Sequence, residues 1–166
     1  MGGEKSSEPE PPLEPLVIAT GTRPFDILLV EDNPGDMRLT KEALREGKVY
    51  CNLHWAQDGA EALDFLNRCG QFAAAPQPDI ILLDLNLPKQ DGHDVLMVIK
   101  NDADLLHIPV VMLTTSSAEE DVRRSYELHA NCYVTKPVDF DKFMKVIRTI
   151  DQFWLTLAKL PSMATA

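Results

Sequence analysis

The chain has 166 residues, 45% of them apolar, and a formal net charge of −10. That length suits one domain with its own hydrophobic core, and that composition excludes a chain disordered throughout. The acidic balance argues against binding to nucleic acid or to an anionic membrane, which needs a basic footprint, and no apolar run reaches membrane-spanning length.

In chain order, residues 1–24 come first, with five prolines, several glutamates and little that forms a core. They read as a disordered tail. They lack the basic start and apolar stretch of a secretory signal, so a cytoplasmic location is expected. From Phe25 to about residue 157, strand-like and helix-like stretches alternate five times. The strands are predicted at 26–31 (DILLVE), 50–56 (YCNLHWA), 79–84 (DIILLD), 108–113 (IPVVML) and 131–135 (NCYVT). Three are nearly continuous apolar runs, as expected for strands covered by helices on both faces. The second alternates, with Leu53 and Trp55 against Asn52 and His54, which suits a sheet edge.

The helices fall between them. Asn33-Pro34 opens the first, with proline near the first helical position. Asp58-x-x-Glu61 reads as a start signal for the second, Asp91-Gly92 marks the third, and Ser117-x-x-Glu120 reads as a capping box for the fourth. The last is predicted from Asp139 to Leu157, because Phe140, Phe143, Ile147, Ile150, Trp154 and Leu157 recur at helical spacing. Residues 158–166 are left as a short tail. A (βα)5 unit with short connections implies an α/β fold, a doubly wound parallel sheet with right-handed crossovers.

Cys51, Cys69 and Cys132 are odd in number, and no two form a C-x-x-C pair. They read as buried free thiols of a reducing compartment. His54, His93, His107 and His129 show no metal-ligand spacing and are expected to be structural or surface residues.

In such a fold, function sits at the carboxyl ends of the strands. The first strand ends in Glu31-Asp32, the third in Asp84, the fourth in Thr114-Thr115 and the fifth in Lys136-Pro137. Crowded carboxylates either protonate or recruit a cation, and hard oxygen ligands beside a phosphate suit Mg²⁺. Asp84 can then act as a nucleophile that forms an acyl phosphate. Lys136 can pair with Asp84 and then with the phosphate, and Thr114 can donate to a phosphate oxygen. Alone, Asp84 after IILL would read as a strand-ending turn residue; Thr114 and Lys136 change that reading.

The runs ILLVEDN (27–33), DLNLPKQDG (84–92), VVMLTTS (110–116) and CYVTKP (132–137) resemble the signature of two-component response-regulator receiver domains. Thr114 follows Asp84 by 30 residues and Lys136 by 52, as in that family. The resemblance covers about 25–157. It implies a flavodoxin-like sheet of strand order 2-1-3-4-5, with Asp84 as phosphoacceptor. It implies Mg²⁺ held by Asp32, Asp84 and the backbone carbonyl of Asn86, with Glu31 acting through water. Thr114 and Lys136 match the switch hydroxyl and the site lysine. Tyr133 matches an aromatic that reorients with the threonine, although an aromatic on an edge strand also packs there without any such role. The family pattern further implies a cis peptide at Lys136-Pro137. Thr115 departs from the small residue often found beside the switch threonine. The segments 113–137 and FWLTLAKLP (153–161) resemble small single-domain regulators that partner phytochrome-type histidine kinases.

The chain is therefore expected to be a phosphorylation-activated signalling domain, catalysing only its own phosphotransfer and dephosphorylation. Its expected donor is a sensor histidine kinase docking on the first helix (Asp36 to Leu44). No output domain is expected after Leu157, so the output is predicted to be a partner protein or a homodimer. The predicted dimer face is the fourth helix, fifth strand and fifth helix, with Tyr126 and the strand near Cys132–Val134. A phosphohydrolase would need a second acid/base aspartate where Asn86 stands, and a dinucleotide enzyme would need a Gly-x-Gly-x-x-Gly after the first strand.

Overall fold

Three strands apolar on both faces can be buried only between two layers of helices. The computed structural model, which describes residues 23–161, has that architecture. The elements are β1 (Phe25–Val30), α1 (Pro34–Glu46), β2 (Cys51–Ala56), α2 (Gly59–Leu66), β3 (Ile80–Leu83), α3 (Gly92–Lys100), β4 (Val110–Thr114), α4 (Glu119–Glu127), β5 (Cys132–Thr135) and α5 (Phe140–Asp151). All strand pairs are parallel and the order is β2-β1-β3-β4-β5, the flavodoxin-like order. The expected tail 1–24 lies outside the described residues except for Arg23 and Pro24, and Arg23 already bonds the Asp79 carboxylate at 2.7 Å. Of the expected tail 158–166, residues 162–166 also lie outside them.

Strand alternation divides the core in two. Leu28, Val30, Ile81 and Leu83 face one side, with Phe65, Val95, Leu96 and Ile99 of α2 and α3. Ile27, Leu29, Ile80 and Leu82 face the other, with Leu44 of α1 and Phe143 and Ile147 of α5. The period-two geometry of a strand forces this division.

The start signals act where predicted in three helices, and the fifth is capped at the residue where it was predicted to begin. Asn33 caps α1 by accepting the N–H groups of Gly35 (2.8 Å) and Asp36 (3.2 Å). Asp58, Asp91 and Asp139 cap α2, α3 and α5 in the same manner. The fourth differs. Ser117 makes no cap and Ala118 holds the N-cap position. Ser116 bonds the first turn instead, donating to Asp121 Oδ2 at 2.5 Å and accepting Ala118 N–H at 3.4 Å. The chain leaving β4 aims Ser116, not Ser117, at the first turn.

Other expectations are corrected. None of the cysteines is buried: Cys51 and Cys132 are half-buried and Cys69 is exposed, all three free. They lie on edge strands and beyond the end of α2, where only one side is covered. The Lys136-Pro137 peptide is trans, the form that X-Pro bonds prefer by about 0.5–1 kcal/mol. The last helix is not uniform: α5 gives way to wider i→i+5 turns over Gln152–Leu157, and Phe140 and Leu157 of its apolar stripe are exposed. Beyond Ile150 the chain still packs on the core, with Trp154 and Leu155 half-buried against it.

One core group is out of place chemically. Asp151 is buried, and its Oδ2 has no hydrogen-bond partner. Burial raises its pKa from 3.8 to about 6, against the opposing pull of Arg148 and the Gln152 N–H. Between those values the folded chain keeps a proton that the unfolded chain has lost. Stability therefore falls as pH rises through the window, and above about 6 the loss is complete. Asp151→Asn keeps the shape without the charge. It should stabilise the protein by about 1–2 kcal/mol at pH 7.5, with the difference vanishing near pH 4 in thermal unfolding.

Candidate functional site

Parallel pairing delivers the strand ends to one edge. Val30 lies opposite Leu83 in the register, so the next residues, Glu31 and Asp84, emerge side by side at the point where the strand order reverses. The Asp84 N–H bonds the Val30 carbonyl at 3.1 Å, and the Lys136 N–H bonds the Thr114 carbonyl at 2.6 Å. These ladder bonds hold the chain leaving β3 against β1 and the chain leaving β5 against β4.

Glycine makes the close approach possible. A Cβ on Gly92 would fall 2.7 Å from Leu85 Cα and closer still to the Asp84 carbonyl oxygen. The start of α3 is pressed against the backbone that carries Asp84.

The side chains converge as the spacing predicts. Lys136 is 5% exposed, and its Nζ donates to Asp84 Oδ2 at 2.8 Å and also to Glu31 Oε2. Carboxylate oxygens of Glu31, Asp32 and Asp84 all lie within 4.8 Å of one another. Glu31 and Asp84 are buried while Asp32 is exposed, so the cluster opens to solvent on the Asp32 side. Burial pushes the Glu31 carboxyl up to about 7, with Lys136 pulling the other way. Burial also works against the Lys136 charge, but its bonds to Asp84 and Glu31 outweigh that and hold it above the ordinary lysine range. The fully buried Thr114 hydroxyl is reached by Asn86 Nδ2 at 3.4 Å, and the Asn86 N–H caps Asp84 Oδ1 at 3.0 Å.

Asp36 is a member that sequence reasoning missed as part of this site. From the first turn of α1 its Oδ2 accepts from Lys136 Nζ at 3.0 Å. Its signal was present, since it lies four residues after Asp32, one helical turn along. Tyr133 stands apart from the acids, its hydroxyl donating to the Ser116 carbonyl at 2.8 Å. Among the described residues, Glu31, Asp32 and Asp84 form the only acid, histidine or cysteine group that can hold a metal. Their hard oxygens fit Mg²⁺ or a cation of similar character.

The comparisons agree with the geometry. The response regulator receiver domain family matches residues 27–148. The chain is 48% identical over 139 residues to response regulator Rcp1 of Synechocystis sp., covering 84% of this chain and 95% of that one. The crystal structure of the phosphorylated cyanobacterial phytochrome response regulator RcpA superposes with a TM-score of 0.81 at 47% identity, covering 84% of this chain and 99% of the other. The Mn²⁺-bound form of Rcp1 superposes equally well, with the same TM-score of 0.81 and 47% identity, over 84% of this chain and 100% of that one. With five parallel strands in receiver order and an acidic pocket closed by a lysine, the chain belongs to the response regulator receiver domain family.

Proposed function

We propose that this chain is switched by phosphorylation of Asp84, on which a sensor histidine kinase places the phosphoryl group. The observation that carries this reading is the buried ammonium of Lys136 bonded to Asp84 and Glu31 beside the exposed Asp32. An Asp84 carboxylate oxygen bonds to phosphorus as the donor's P–N or P–O bond breaks. Asp32, Asp84 and the Asn86 backbone carbonyl would hold Mg²⁺, with Glu31 contributing through water. When bound, the ion neutralises charge that builds up during transfer. Lys136 then pairs with the phosphate, and the Thr114 hydroxyl donates to one of its oxygens.

The similarity to a phytochrome response regulator favours a phytochrome-type kinase as partner, docking on α1. Drawing Thr114 inward leaves space for Tyr133 to follow, which alters the face made by α4, β5 and α5. Tyr126 on α4, Phe140 at the start of α5 and Phe153 just after it are exposed, and a homodimer through the α4-β5-α5 face is the proposed output.

Acetyl phosphate with Mg²⁺ tests both points. The wild-type chain should gain one phosphoryl group by intact mass, and Asp84→Asn should gain none. Sedimentation should show phosphate-dependent dimers. Catalytic turnover of small phosphate esters would overturn the signalling reading, and a monomer with and without phosphate would overturn the dimer.

A further inference from the structure

A buried polar chain ties α3 to the loop that carries Thr114. His93 and Ser125 are 2% and 0% exposed. The single hydroxyl proton of Ser125 goes to the Asp121 carbonyl at 2.7 Å. Its oxygen therefore accepts from Nε2–H of His93 at 2.9 Å. The Asp121 carboxylate accepts from the Ser116 hydroxyl at 2.5 Å, and the Ser116 carbonyl accepts from Tyr133 at 2.8 Å. The Ser116 N–H reaches Thr114 Oγ1 at 3.4 Å. At the other end, His93 follows Gly92, which is packed on the Asp84 backbone. The chain thus begins and ends beside Asp84.

We infer that His93, through Ser125 and Asp121, is a positioning residue that latches the Thr114–Ser116 loop in its unphosphorylated arrangement. This rests on the phosphoacceptor reading of Asp84. Thr114 cannot move toward a phosphate without shifting Ser116. Either the Ser116–Asp121 bond or the Tyr133–Ser116 bond then gives way, because His93 holds α4 from behind. The strength of the latch sets the fraction of chains already switched before phosphate arrives.

Switched chains should take phosphate faster, so the uptake rate from acetyl phosphate reads the latch. His93→Phe fills the seam but cannot donate, and should react about fivefold faster than wild type, the factor that one net hydrogen bond carries. In His93→Gln the amide can donate from near the Nε2 position, and the rate should return to within about twofold of wild type. Amide shifts of Ser116 and Tyr133 without phosphate should move in the first variant and stay in the second. Ser116→Ala cuts the same chain at its half-buried loop end. It should also speed uptake, so the inference does not depend on His93→Phe folding. Folded variants with lowered melting temperatures but wild-type uptake rates would overturn the latch. A wild-type chain that takes no phosphate is a different result, which sinks the reading of Asp84 itself and the latch with it.

Discussion

Lys136→Met should slow phosphoryl uptake from acetyl phosphate by about 10²-fold or more, the scale of removing one preorganised donor from a site where charge develops. The methionine keeps the apolar stem and deletes the ammonium that Asp84, Asp36 and Glu31 now share. Buried carboxylates are then left facing one another. Breaking a fully buried pair costs about 3–5 kcal/mol. Here the opening beside the exposed Asp32 admits solvent, so a loss of about 2–3 kcal/mol is expected at neutral pH. Urea unfolding measures it. Millimolar Mg²⁺ should restore more stability to the variant than to wild type, because a cation that binds only the folded acids takes over part of the missing charge. A variant with unchanged uptake and stability would show that the pocket does not depend on this lysine.

Gly92→Ala carries the second large effect, and it reaches the site through the backbone. The added methyl would press on the Asp84 carbonyl and on Leu85 Cα, 2.7 Å away. Both are main-chain atoms of a buried strand end, so neither can swing aside as a side chain would. Overpacking costs about 1–3 kcal/mol, and with two rigid neighbours a value near the top of that range, about 3 kcal/mol, is expected. The urea midpoint should fall with little change in slope. Phosphoryl uptake should fall as well, because α3 and Asp84 cannot both keep their places. A substitution that lowers stability and leaves uptake intact would show that the methyl is absorbed by α3 alone.

Most of the site was legible in the sequence because it is built from strand ends. An apolar run that stops at a polar residue announces which side chain reaches the carboxyl edge, and parallel topology then gathers those residues. Glu31, Asp84, Thr114 and Lys136 are of this kind. Asp36 and Ser116 were harder. Their contributions depend on where a helix or loop leaves the strand, and a shift of one position changes which hydroxyl or carboxylate points inward. The same reason explains why Ser117 was expected to cap α4, whereas Ala118 holds that position and Ser116 is the serine bonded to the first turn. It explains the cysteines too, since residue type favoured burial while strand position left one side uncovered.

The sequence by itself determined the (βα)5 architecture, the edge position of β2, three of the five helix caps and the four strand-end residues of the pocket. The elements and caps follow from patterns within a few residues of one another, where periodicity and capping chemistry act, and the pocket residues follow from the strand ends that parallel topology gathers. Only the tertiary structure decided that Asp36 shares the lysine, that Tyr133 rests on Ser116, and that His93 is bonded through Ser125 to α4. Those contacts join elements that are neighbours only after packing, and a hydrogen bond needs placement to within a few tenths of an ångström, which no local pattern encodes.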